Sequence, residues 1–162
     1  MLDENMLLLL TDFTEQDAMT VCNWVYEDEY SVYNSPSWNT VKEQRWGMAD
    51  EKKRNSQFRK IVDQHNNYIG YFRFYPVDNK VMLGLGMNPK FCGRHLGPVF
   101  VYSIIKYIEV VYHDMPIELE VRSFNQRAVK CYERCGFKMR GKRYKETPIG
   151  NDEFIIMQYH HE

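Results

Sequence analysis

Residues 83–98 read Leu83-Gly84-Leu85-Gly86-Met87-Asn88-Pro89-Lys90-Phe91-Cys92-Gly93-Arg94-His95-Leu96-Gly97-Pro98. The run to Met87 is apolar apart from its two glycines and predicts the end of a strand. From Asn88 the chain becomes a loop of small and polar residues, and Pro98 suits the first turn of a helix, where a missing N–H costs nothing. A strand, a glycine-bearing loop and a helix N-terminus in that order can aim several backbone N–H groups at one anion, backed by the positive end of the helix dipole. Neither phosphate fingerprint of the nucleotide-binding folds fits: there is no Gly-Lys-Ser/Thr ending and no set of three correctly spaced glycines inside a βαβ unit. Taken alone, the loop could also be a tight turn shaped by Gly93 and Gly97.

The flanking sequence supplies the rest of the architecture. Upstream, Gln57–Asp63, Asn67–Tyr75 and Lys80–Met87 read as three consecutive strands, with turns at Asn66-Asn67 and Val77-Asp78-Asn79. Their short connections imply an antiparallel meander. Before them, Met6–Leu10 predicts a buried first strand. Asp12 or Thr14 can cap a helix to about Trp24, with Ala18, Val21, Cys22 and Val25 on its apolar stripe. The stretch Tyr26–Trp38, broken by Pro36, reads as irregular, and a second helix is expected from about Thr40 to Asp50. Downstream, Val101, Ile104, Ile105, Ile108, Val111 and Tyr112 recur at helical spacing. Ile117, Leu119 and Val121 alternate with Glu118, Glu120 and Arg122 as a half-exposed strand; Asn125 caps a short helix and Gly136 ends it. Two strands, about Phe137–Tyr144 and Asn151–Tyr159, follow. The order β-α-α-β-β-β-α-β-α-β-β predicts an α+β fold with a central mixed sheet and helices on its faces.

A chain of 162 residues with no repeat or linker predicts one domain spanning residues 1–162. Its 44% hydrophobic and 27% charged content excludes disordered and membrane classes. Apolar runs such as Met6–Leu10 fall far short of the roughly 18 residues of a membrane span, and no basic segment precedes them, so a cytoplasmic location is expected. Cys22, Cys92, Cys131 and Cys135 show no zinc spacing and are expected to be reduced, Cys131 and Cys135 lying one helical turn apart. His65, His95, His113, His160 and His161 show no metal spacing either; no metal is expected, and the last pair reads as a frayed end. No G-x-S-x-G is present. Lys138, Arg140, Lys142 and Arg143, with Tyr144, read as a solvated strand face, because a pI near 6.5 argues against a nucleic-acid partner. Charge is unevenly placed: residues 1–50 carry a net −8 and residues 51–162 a net +7. Apart from chance, that asymmetry suits a cationic ligand toward the start of the chain and an anionic one later.

The loop Cys92-Gly93-Arg94-His95-Leu96-Gly97 resembles the acetyl-CoA loop of the Gcn5-related N-acetyltransferase family, whose pattern is Q/R-x-x-G-x-G/A. Cys92 stands where that family has Gln or Arg, and His95 where it has its first glycine. A histidine tolerates positive φ better than most residues, and backbone N–H groups are unaffected by the side chain they precede. About thirty residues on, Leu119-Glu120-Val121-Arg122, Asn125, Ala128 and Tyr132-Glu-Arg-Cys-Gly136-Phe137 are similar to the family's second block, L-x-V-x-x-x-N…A…Y-E-x-x-G-F. The resemblance spans nearly the whole chain. It implies a sheet splayed between strands four and five and acetyl-CoA as co-substrate. The pyrophosphate falls to residues 92–97 and the pantetheine arm to the backbone of Leu85, Gly86 and Met87, with Asn125 beside the cofactor. Arg94, Lys90 and Arg127 are further phosphate candidates.

An amine attacking a thioester must lose a proton, and a departing thiolate leaves better if it gains one. In similar enzymes the tyrosine at the position of Tyr132 is the general acid. In the ribosomal-protein alanine acetyltransferases of the family, a glutamate in the same Leu-Glu-Val-Arg context is the base, which points to Glu120. The same alternation also fits a Glu120 that only pairs with Arg122 or nearby bases, with a water as proton acceptor. Trp24, Tyr26, Tyr30, Tyr33 and Trp38, interleaved with Glu27, Asp28 and Glu29, suit a small-molecule or peptide amine, although the same aromatics could simply pack the helices. A homodimer is left open. A second functional reading keeps the fold without catalysis, as a CoA-binding or partner-docking module.

Overall fold

The computed structural model describes residues 6–161. Its elements are β1 (Leu8–Asp12), α1 (Glu15–Cys22), α2 (Trp38–Glu43), α3 (Glu51–Gln57), β2 (Phe58–Asp63), β3 (Tyr68–Val77), β4 (Lys80–Met87), α4 (Gly97–Tyr112), β5 (Ile117–Arg122), α5 (Gln126–Arg134), β6 (Lys138–Thr147) and β7 (Gly150–Tyr159). The strands form a seven-stranded mixed sheet in the order β1-β2-β3-β4-β5-β7-β6, with β4 parallel to β5 and the other pairings antiparallel. This is the expected α+β fold. The chain divides into two compact units: one holds the residues up to Arg73 together with Leu85–Gly93, the other Phe74–Gly84 together with the residues from Arg94 onward.

In the first unit, β1 pairs with β2 from Leu8↔Asp63 to Asp12↔Arg59, and β2 pairs with β3 from Phe58↔Arg73, with a bulge between Ile61 and Val62. β1 starts two residues later than expected, and Leu7, just before it, and Leu9 within it are exposed rather than buried. Thr14 opens α1 with a capping box: its hydroxyl accepts from Asp17 N–H at 3.1 Å and its own N–H donates to Asp17 Oδ2 at 2.9 Å. α1 stops at Cys22, leaving Val25 exposed. Phe13, Ala18, Val21, Val41, Met48 and Phe58 form a buried cluster in which Phe13 stacks on Phe58 at 5.2 Å.

The single second helix expected over Thr40–Asp50 is instead α2, a 3₁₀ turn at Gly47–Ala49, and α3. Two local causes act. Arg45 has φ 56°, which a right-handed helix cannot contain. Asp50 then starts a new helix by accepting Lys53 N–H at 2.9 Å.

In the second unit, β5 pairs with β7 along its whole length, Ile117↔Tyr159 to Arg122↔Phe154, and β7 pairs with β6 as a hairpin. The parallel ladder to β4 runs over Val81↔Ile117 and Met82↔Glu118, and the sheet is splayed. Glu118 is not half-exposed as the alternation predicts: it is buried, accepting from Lys80 Nζ at 2.9 Å and from Gln158 Nε2 at 2.8 Å. α4 buries Phe100, Val101, Ile104, Ile105 and Ile108, whereas Val111 in its last turn is exposed. His161 is no frayed end. Its Nε2 donates to the Met115 carbonyl at 2.9 Å and its Nδ1 lies 2.9 Å from Glu109 Oε1. Among the described residues no helix is long and apolar enough to cross a membrane.

Burial alone would raise the pKa of Glu118, but the hydrogen bonds from Gln158 and Lys80 outweigh it and hold the carboxyl below its ordinary range. A carboxyl depressed in the fold stabilises it above the unfolded pKa and loses that contribution as pH falls through the folded pKa. Replacing Lys80 by Met removes a bond to a buried carboxylate, at a cost of roughly 1–3 kcal/mol. Acid unfolding followed by circular dichroism should therefore shift to higher pH in Lys80→Met than in wild type; an unchanged midpoint would show that Lys80 contributes nothing there.

Candidate active site

In the first unit, β4 ends against a wall of aromatic rings. A Cβ on Gly86 would lie 2.6 Å from Tyr71 Cε1, so the glycine is what lets that ring reach the strand. The next carbonyl, Met87 O, accepts from the Tyr26 hydroxyl at 2.6 Å. Asn88 anchors the turn that follows: its N–H donates to Ile69 O at 2.8 Å, its Nδ2 to Tyr68 O at 2.9 Å, and its Oδ1 accepts from Lys90 N–H at 3.1 Å. Cys92 N–H already donates to the Pro89 carbonyl at 3.2 Å, and the Cys92 thiol faces Met87 O and Asn88 O at 3.8 and 3.7 Å. Within the expected loop 92–97, the Cys92 N–H is thus engaged inside the turn itself.

Along that stretch the backbone is left-handed at Gly93 (φ 75°) and again at His95 (φ 61°), after which Leu96 is right-handed (φ −87°, ψ −12°) and caps α4. A left-handed residue followed by a right-handed one turns consecutive N–H groups inward, the concavity that binds anions. Gly93, Arg94 and His95 are exposed and Leu96 is buried.

In the second unit, a Cβ on Gly97 would lie 2.9 Å from Cys131 Sγ, so this glycine is required by the packing of α5 against the start of α4. Cys135 Sγ contacts the Pro98 carbonyl at 3.6 Å. Cys131 is hydrogen-bonded to Cys135, and that bond, followed by burial, pushes the Cys131 thiol well above its ordinary pKa. Asn125 caps α5 by accepting Ala128 N–H at 3.2 Å, and Gly136 closes it at φ 101°. Tyr132 is half-buried, its ring edge-on to Phe137 at 5.8 Å and its carbonyl bonded to Phe137 N–H at 3.0 Å. Glu120 also lies in this unit, but its partners are on β6: Oε1 accepts from Arg143 at 2.9 Å and Oε2 from Lys145 Nζ at 2.6 Å. Both carboxylate oxygens are engaged by cations.

The acidic aromatic segment belongs to the first unit. Glu27, Asp28 and Glu29 are exposed around a 3₁₀ turn, Asp28–Tyr33, and Tyr26 meets Tyr33 edge-on at 6.3 Å. Trp24 and Trp38 are committed to packing against the buried cluster, Trp24 lying 5.0 Å from Tyr68 and 6.1 Å from Tyr71. Tyr68 and Tyr71 were not legible as part of this wall, because their β3 alternation reads equally well as ordinary core. Burial pushes the Tyr71 pKa up to about 12 and lifts those of Tyr26 and Tyr68 well above the ordinary phenol range. An open pocket of about 820 Å³ at the C-terminal ends of α4 and α5, around Glu109, Arg134 and His161, includes none of the residues assigned from the sequence to catalysis or cofactor binding. Among the described residues no group of three metal-ligating side chains is assembled.

Residues 8–138 match the Acetyltransferase (GNAT) domain family. The chain belongs to it. Similar solved structures include a spermidine N-acetyltransferase chimera from Vibrio cholerae and hSSAT (TM-score 0.72, 18% identity, 94% of this chain and 95% of that one). A mutant spermidine/spermine N-acetyltransferase from Vibrio cholerae (0.70, 18%, 95% and 95%) and the ribosomal-protein-S18-alanine N-acetyltransferase of Escherichia coli (0.66, 18%, 95% and 94%) are also similar. At these identities the likeness shows the fold. No curated protein matches the sequence.

In this GNAT domain, Gly97 has a packing duty separable from any ligand. Gly97→Ala should lower stability by roughly 1–3 kcal/mol, the range for overpacking. The double variant Gly97→Ala/Cys131→Ala, which removes the opposing sulfur, should recover most of that loss in urea unfolding. A double variant no more stable than the single one would discard the steric account.

Proposed function

We propose that this domain transfers the acetyl group of acetyl-CoA to a primary amine by direct attack within a ternary complex. The observation that carries the reading is the backbone of residues 93–97, where His95 stands in the left-handed conformation that a glycine would otherwise supply. With α4 behind them, those N–H groups suit a pyrophosphate. The Leu85–Met87 edge is assigned to the pantetheine arm and Asn125 to positioning α5 beside the cofactor. A cytoplasmic setting fits four free thiols.

Tyr132 is assigned the role of general acid, passing its hydroxyl proton to the sulfur as the C–S bond breaks. The amine's proton has two routes. Glu120 can take it once Arg143 or Lys145 gives way; a water can take it with Glu120 left in place, and the two ion pairs on Glu120 favour the water. Glu120→Gln separates them, because it removes a direct base but leaves the water route. CoA release across a panel of amines tests the whole reading: none released with any amine would leave a non-catalytic CoA-binding module.

Tyr132→Phe keeps the ring against Phe137 and removes the proton, so kcat should fall by roughly 10²-fold while calorimetric acetyl-CoA affinity stays unchanged. Full activity in that variant would return Tyr132 to the core. The acceptor is assigned as a cationic amine held near the exposed Glu27, Asp28 and Glu29, which raise the local concentration of ammonium groups. Attack needs the free amine, so kcat/KM should rise with pH until the amine has titrated. Neutralising the three acids to Gln, Asn and Gln should raise the acceptor KM and leave that of acetyl-CoA alone; wild-type KM values with every amine would make the segment a mere solvated surface.

A further inference from the structure

One hydrogen bond joins the segment assigned to the acceptor with the strand assigned to the cofactor. The Tyr26 hydroxyl donates to the Met87 carbonyl at 2.6 Å across 61 residues of sequence, at the end of Leu85–Met87. The backbone of the same residue is clamped: Tyr26 N–H donates to Asn34 Oδ1 at 2.7 Å, and Asn34 Nδ2 reaches the Tyr26 carbonyl at 3.4 Å. These two contacts close residues 26–34 into a loop whose exposed tip carries Glu27, Asp28 and Glu29. Around the strand end, Tyr71 packs over Gly86 and Trp24 sits 6.1 Å from Tyr71. The acidic loop is therefore tied to β4 through a phenol set in an apolar wall.

We propose that Tyr26 is a positioning residue for acetyl transfer: through its hydroxyl on the Met87 carbonyl and its clamp to Asn34, it sets where the acidic loop presents a cationic amine relative to the cofactor strand. The proposal rests on the acetyltransferase reading above. A short O–H···O=C bond in a half-buried site is directional, so it favours one placement of the loop, and a loop set elsewhere presents the amine less well to the cofactor strand. Burial keeps the phenol protonated, so the donor is present throughout any assay range. Nothing in the bond touches the transferred group, which places its effect on acceptor recognition rather than on the proton steps.

The test is Tyr26→Phe, which keeps the ring against Tyr33 and deletes only the hydroxyl, together with Asn34→Ala, which opens the clamp and leaves the phenol on Met87. Acetyl-CoA affinity by calorimetry, acceptor KM, kcat and Tm are measured for each. Both variants should raise the acceptor KM about tenfold, the scale of one lost hydrogen bond, with acetyl-CoA affinity within about twofold of wild type. A merely structural tyrosine would lower Tm and leave KM for the folded fraction unchanged, and that result overturns the proposal. Should Tyr26→Phe fail to fold, Asn34→Ala decides alone: a raised acceptor KM supports the proposal and a wild-type value overturns it. A wild-type protein that releases no CoA with any amine overturns the acetyltransferase reading and this proposal with it, whereas active wild type with unchanged variants overturns the proposal only.

Discussion

Glu118 is the constraint on which the second unit depends. A carboxylate exposed to only 6% cannot stay charged without partners, and here one oxygen is held by Lys80 of β4 and the other by Gln158 of β7. Three strands are thereby registered at one point, where Met82↔Glu118 and Glu118↔Gln158 meet. From there β5 continues on β7, carrying Glu120 to the β6 cations and Arg122 to Asp152 at 2.6 Å. Ser123, bonded to the Glu153 carbonyl at 3.0 Å, then begins the turn that sets Asn125, α5 and Tyr132. A one-residue slip in β5 would turn Glu118 away from its partners and displace everything after it.

The first unit is organised by aromatic contact rather than by charge. Phe13 bridges Phe58 and Tyr71, Tyr71 reaches Trp24, and Trp24 reaches Tyr68. Such pairs add roughly 0.5–1.5 kcal/mol each beyond their burial, and their rigid rings suit a wall that must keep its shape. Within that wall the polar tips are placed individually: Tyr26 reaches Met87, and Lys60 spans Asp17 and the Tyr68 face at 4.5 Å. Within the segment 24–38, Trp24 and Trp38 pack against the buried cluster while Glu27, Asp28 and Glu29 are exposed.

The two departures from the family pattern in the loop 92–97 have physical counterparts. His95 occupies φ 61°, a conformation open to histidine at modest cost, so the lost glycine does not forbid the loop. Cys92 lends its N–H to Pro89 and its thiol to neighbouring carbonyls, making it part of the turn's internal scaffold. Gly97 answers to the Cys131 sulfur, so the two motif blocks meet as a packing contact.

What could be read from the sequence was local. Asn125 as a cap, Thr14 as one of two cap candidates, the turns at Asn66 and Asp78, β4 to the residue and the helix opening at Pro98 all follow from neighbours within a few positions, where hydrogen bonding and backbone sterics act. The tertiary structure decided whatever needed a distant partner. Glu118 and Glu120 share one face of one strand and look alike in sequence, yet one is buried by Lys80 and Gln158 and the other is held by Arg143 and Lys145. His161 reads as a loose end until the fold brings Glu109 and the Met115 carbonyl within 2.9 Å of its ring nitrogens. The Tyr26 hydroxyl has no local reason to be placed anywhere. Burial and long-range hydrogen bonds depend on which surfaces the packed chain brings within about 3 Å, and no periodicity of the sequence records that distance.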